Sequence, residues 1–172
     1  TPCGTLFPYT TLFRSVPWTN RTDLIEPAAD REEVLRYFGT ISTKELEPEH
    51  YRAEWPTYQR LRTSWWRYRL MDELARRQEE DLSLTGLRIA DRVLIGVPGE
   101  PFLELQISVQ RLVSGGRPLL VGYSGGYVGY IPDEASFQHQ TYETNPSWVH
   151  RMGAQAGTRI VDGASELDRK SV

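Results

Sequence analysis

The clearest periodic stretch runs from residue 57 to about 81. No Pro or Gly interrupts it, and Tyr58, Leu61, Trp65, Tyr68, Leu70 and Leu74 recur near the spacing of one helical face. This predicts a long amphipathic helix. Its polar side carries Arg60, Arg62, Arg67, Arg69, Arg76 and Arg77 among acidic residues, which reads as a solvated face laced with internal ion pairs. Upstream, Asp30 and Glu33 have capping-box spacing, Val34, Leu35 and Phe38 supply one apolar face, and Gly39 stops a short helix. Residues 45–56 are polar and broken by two prolines, a connector in which one helical turn fits. Residues 16–27, bracketed by Pro17 and Pro27, suit a sheet edge or a surface-crossing arm.

The second half alternates differently. After a turn at Thr85-Gly86, residues 87–90 and 93–97 are short apolar runs that predict two buried strands around Asp91-Arg92. The second continues as RVLIGVPGEPF: strand, Pro-Gly turn, Glu100, then Pro101 at the favoured first position of a helix. Phe102, Leu105, Val109 and Leu112 give that helix an apolar stripe, and Ser114-Gly115-Gly116 ends it. Residues 118–121 form another buried strand that leads into GYSGGYVGYIP. A helical turn over 133–137, a loop holding Tyr142 and Glu143, and a terminal helix over 159–167 complete the chain. Strand, helix, strand, helix is the order of an α/β fold, here a partial mixed β-sheet with flanking helices.

Composition narrows the functional classes. The 20 basic and 23 acidic residues leave a formal charge of -3, and their signs are mixed along the chain, which argues against a nucleic-acid partner. No run of about 18 apolar residues exists, so no transmembrane segment is expected. The single cysteine, Cys3, leaves no internal disulfide and no multi-cysteine metal cluster. Residues 1–15 (TPCGTLFPYTTLFRS) show no strand or helix period. Their string LFPYTTLFRS resembles a translated sequencing-library adapter, as do the closing residues 168–172 (DRKSV). Both ends are set aside as non-native tails around a domain of residues 16–167, the alternative being a natural disordered tail.

Open α/β sheets place reactive groups at strand ends, where a rigid backbone fixes the side chain and loops shape the pocket. Two such ends carry chemistry here. Glu100 follows a buried strand; the plainer role for a carboxylate there is to cap the next helix and offset its dipole. Tyr123, Tyr127 and Tyr130 lie among Gly122, Gly125, Gly126 and Gly129, with stacked structural tyrosines as the plainer reading.

Together, VPGEPF at 97–102, GYSGGYVGYIP at 122–132 and TYE at 141–143 resemble the neutral and alkaline ceramidase family, zinc-dependent amidases that cleave the N-acyl bond of ceramide. The likeness extends over residues 19–167, resting on general layout before Ile89. It implies that Glu100 and Tyr130 are zinc ligands and that Tyr142 lines the reaction centre. It also implies that the remaining ligands, two histidines, and an active-site serine come from upstream sequence, and no segment here resembles those motifs. The chain would then be a fragment of a larger layered α/β catalytic domain, inactive alone. A lipid-like N-acyl substrate and a secreted or periplasmic address follow from the same resemblance.

A carboxylate and a phenol suit zinc when joined by imidazoles. The chain departs from the family where an asparagine commonly precedes the tyrosine pair: Gly125 stands there. His139 reads as a surface residue, and His50 and His150 have no partners at metal-ligand spacing. Two other readings stand beside the amidase: a noncatalytic carbohydrate- or lipid-binding module presenting Trp65 or Trp148, and a degenerate family member kept for structural reasons.

Overall fold

The computed structural model describes residues 10–21, 25, 27–40, 48–113, 116–139 and 141–170. Cys3, Leu24, residues 45–47, Ser114-Gly115 and residues 171–172, named above, lie outside them, as does the side chain of His50.

The fold is mixed α/β. A four-stranded sheet has the order β1-β2-β3-β5, built from β1 (Thr10–Pro17), β2 (Glu79–Ile89), β3 (Arg92–Gly96) and β5 (Arg117–Val121). The first two pairings are antiparallel and β3 pairs with β5 in parallel. A second, two-stranded parallel sheet joins β4 (Glu100–Pro101) to β6 (Tyr130–Ile131). Along β2, Leu82, Leu84 and Gly86 are buried while their neighbours are not, the period-2 signature of a sheet covered on one face. That face packs with Leu105 and Val109 of α3 (Leu103–Leu112) and Ile160, Ala164 and Leu167 of α4 (Ala156–Lys170).

Two more helices, α1 (Arg31–Thr40) and α2 (Pro48–Leu74), form a smaller cluster of Ala29, Val34 and Leu61 with Tyr37, Phe38, Trp65 and Tyr68 around it. Asp30 caps α1 as its spacing predicts, its carboxylate accepting the Glu33 N–H at 2.8 Å. Glu33 then turns away from the capping box and pairs with Arg60 across the helix interface. Leu35, expected on the apolar face, is exposed.

Several boundaries move. The long helix starts at Pro48 and runs through Pro56, so the connector is helical from there. It ends at Leu74 instead of near 81, because residues 79–81 pair with residues 15–17 of β1 and ladder bonds there replace helical ones. No turn occurs at Thr85-Gly86, which sit inside β2; the chain reverses at Ala90-Asp91, with Ala90 at φ 53°. Gly86 reads as punctuation in sequence but serves as a small residue beneath Leu167.

Both ends set aside from the fold also contribute to it. Residues 10–15 lie in β1, an edge strand whose Leu12 joins the core. Residues 168–170 continue α4, and Asp168 is buried in an ion pair with Arg88 at 2.7 Å. A short apolar run paired along one edge leaves too little periodicity to be seen in isolation.

Candidate functional site

The VPGEPF and GYSGGYVGYIP segments are fastened to each other by main-chain bonds. Val97 N–H donates to Val121 O (2.9 Å), Ser124 N–H to Val97 O (3.0 Å), Val128 N–H to Pro98 O (2.8 Å) and Glu100 N–H to Gly129 O (2.9 Å). The helix expected to begin at Pro101 is displaced by this zipper. Glu100 and Pro101 stay extended as β4, Phe102 N–H reaches Ile131 O at 3.1 Å, and α3 opens at Leu103. Glu100 therefore does not cap that helix. Gly129, at φ +86°, lets the Val149 carbonyl come so close that a Cβ there would lie 1.9 Å from its oxygen.

This packing makes Glu100 and Tyr130 register partners in the β4-β6 ladder, so the two sequence-predicted oxygen donors are neighbours across one pairing. Tyr127 donates its phenol proton to Glu100 Oε1 at 2.7 Å, and Tyr123 stacks parallel on the Tyr127 ring at 5.6 Å. Among the described residues no basic side chain forms an ion pair with Glu100. The carboxylate is instead ringed by phenols, which it holds in the protonated form. Hydrogen bonding to Glu100 raises the Tyr123 pKa; burial, then Glu100, raises those of Tyr127 and Tyr130.

Tyr142 is 66 % exposed and packs edge-on against Tyr130, with centroids 6.0 Å apart. Between them lies a residue that spacing could not find. His150 is buried, with its ring 4.5 Å from Tyr142 and 5.4 Å from Tyr130. Its Nδ1 is 3.1 Å from the Asn145 carbonyl oxygen and 3.1 Å from Ser147 Oγ, while Nε2 is buried without a partner. A carbonyl only accepts, so the proton resides on Nδ1 and Nε2 carries the lone pair. Burial lowers the imidazole pKa and keeps the ring neutral. No sequence signal pointed to it, because it meets Tyr130 only through the fold.

No family model matches this sequence, and no curated protein does. Two solved structures are similar to part of it. One is neutral ceramidase from Pseudomonas aeruginosa, at 22% identity over 54% of this chain and 16% of that one, with a TM-score of 0.40. The other is a ceramidase complexed with C2, at 22% identity over 54% of this chain and 15% of that one, again with a TM-score of 0.40. The match thus spans about a sixth of either relative's length.

The fit to a divalent cation rests on the donors themselves. Glu100 is a carboxylate without a basic partner beside a phenol, the hard oxygen pair that zinc accepts alongside nitrogen. Among the described residues no three His, Cys, Asp or Glu side chains gather as a metal site. Any cation here would draw on the Tyr130 phenol or on donors from another segment. Gly125, where the resemblance leads one to expect asparagine, sits at φ +81° with nothing within 4 Å of an added Cβ. The missing side chain leaves open space and no disturbed packing.

Proposed function

We propose that this chain carries the oxygen-donor part of a zinc site in an enzyme that hydrolyses an N-acyl amide bond of a lipid-like substrate, secreted or periplasmic as the motif resemblance implies. The observation that carries the reading is the register pairing of Glu100 with Tyr130, with Tyr142 packed against the same phenol. Glu100 and Tyr130 would hold the metal, which polarises the amide carbonyl and activates water when bound. Tyr142, exposed beside them, donates a hydrogen bond to the oxyanion that develops on that carbonyl. Tyr127 fixes the Glu100 carboxylate through its 2.7 Å bond, so the ligand is oriented before the metal arrives.

Two oxygen donors without the upstream imidazoles hold zinc weakly, so the chain alone is expected to show no turnover. For the binding-module alternative, the two tryptophans are half-buried. Trp65 packs on Phe38 and Trp66, and Trp148 packs edge-on against Trp18 beneath Arg69 and Arg151. Calorimetric zinc titration tests the assignment. Binding should weaken at least tenfold in Glu100→Ala and in Tyr130→Phe, and equal binding by all three proteins would remove the metal from this site.

A further inference from the structure

Beside Tyr142 opens a cleft of about 250 Å³ between α2 and the 142–150 segment. Arg62, Trp66 and Arg67 form one wall, and Tyr142, Asn145 and His150 stand among the residues of the other. Among the described residues no aspartate or glutamate lines it. Arg62 makes no hydrogen bond or ion pair among the described residues, and its Nε–H is buried without an acceptor; its cation lies 5.7 Å from the Tyr58 ring. The same cleft borders His150, whose Nε2 lone pair has no donor.

One wall therefore supplies a cation with an unmet donor, and the other an unmet acceptor next to the candidate reaction centre. We propose that this cleft seats the amine-side portion of an anionic amide, an N-acyl amino acid, with its carboxylate toward Arg62 and its amide N–H toward His150. In such a molecule the amide nitrogen and the carboxylate are two bonds apart, so donor and anion arrive as one unit. A guanidinium holds a carboxylate through paired N–H bonds, a fit that a neutral hydroxylated lipid amide does not offer. A space of about 250 Å³ admits an amino-acid portion.

The amide class rests on the amidase reading above; the carboxylate preference does not. The test compares N-octanoylglycine with N-octanoylglycinamide, the same molecule with its charge removed, by calorimetry on the full chain with chelator present. The carboxylate should bind at least tenfold tighter. Arg62→Gln should bring the ratio below threefold, while Arg62→Lys, which keeps the charge, should retain a preference. Equal affinities, no binding of either compound, or a ratio unchanged in Arg62→Gln would overturn the proposal. Glu100→Ala separates the two readings. It should lose zinc and keep the carboxylate preference, so a failure of the metal site and a failure of the cleft give different results.

Discussion

The sheet block and the α1-α2 pair place their charges in opposite settings. In the sheet block, Arg88 meets Asp168 at 2.7 Å with side chains 12% and 8% exposed, and Arg151 meets Glu80 at 2.9 Å with side chains 6% and 19% exposed. Between α1 and α2, Arg31 grips Asp72 through two bonds of 2.9 and 3.0 Å, and Arg60 grips Glu33 in the same bidentate fashion, but all four side chains are more than a third exposed. The geometry is similar and the surroundings are not. Water screens the helix-pair bridges and leaves them little net weight, whereas a buried ion cannot lose its partner without being stranded. The sheet block, which holds Glu100 and Tyr130, is thus the part whose integrity the site depends on.

The largest effect should come from breaking one of those buried ion pairs. Asp168→Ala removes a buried carboxylate from beside Arg88, whose side chain is 12% exposed, and is expected to cost about 3–5 kcal/mol in urea unfolding. A loss under about 1 kcal/mol would show that the end of α4 is not part of the cooperative fold.

Next comes the same truncation in each region. Leu84, fully buried between β1 and α4, should cost about 4 kcal/mol as Leu84→Ala. Leu61, buried in the smaller helix cluster, should cost about 2 kcal/mol as Leu61→Ala, since a site flanked by half-exposed rings collapses more readily. Equal costs in chemical denaturation would erase the distinction between the regions.

Acidification should loosen the helix pair more gently. Hydrogen bonding to Arg31 lowers the Asp72 pKa, and hydrogen bonding to Arg60 lowers that of Glu33. A carboxylate with a depressed folded pKa stabilises the fold above its unfolded value, and that contribution is lost as pH falls through the folded one. Below about pH 4, where unfolded carboxylates protonate, α1 amides should exchange faster with solvent than at neutral pH. Unchanged exchange of the α1 amides would contradict this.

The smallest effect belongs to Gly125→Asn. The position has open space, and asparagine tolerates positive φ, so the melting temperature should stay within a degree or two of the parent's.

How legible these regions were in sequence follows from how local their causes are. The strands at 93–97 and 118–121 were readable because short β-branched and apolar runs bounded by Gly and Pro have few other uses, but the second, expected to be buried, is an edge strand with Leu119 and Val121 exposed. The cap at Asp30 was readable because its partner is three residues away. The end of α2 was not, since Glu79 and Glu80 look helical until Val16 and Pro17 pair with them. The extended state of Glu100 and Pro101 was hidden for the same reason: the bonds that hold it come from Gly129 and Ile131. Glu100, Tyr130 and Tyr142 entered through motif resemblance, which carried long-range placement that spacing lacks. His150 had no motif, and only the crossing of the 147–150 segment over β6 brings it beside Tyr130.

The central claim is that Glu100 and Tyr130 share a cation, and ultraviolet difference absorption at the tyrosinate band addresses it directly. Without metal, burial and the Glu100 charge keep the Tyr130 phenol protonated; a divalent cation reverses that balance by favouring the phenolate. Saturating zinc at neutral pH should produce a tyrosinate band that is absent in Tyr130→Phe and strongly reduced in Glu100→Gln. A spectrum unchanged by zinc, or a band that persists in Tyr130→Phe, would contradict the account.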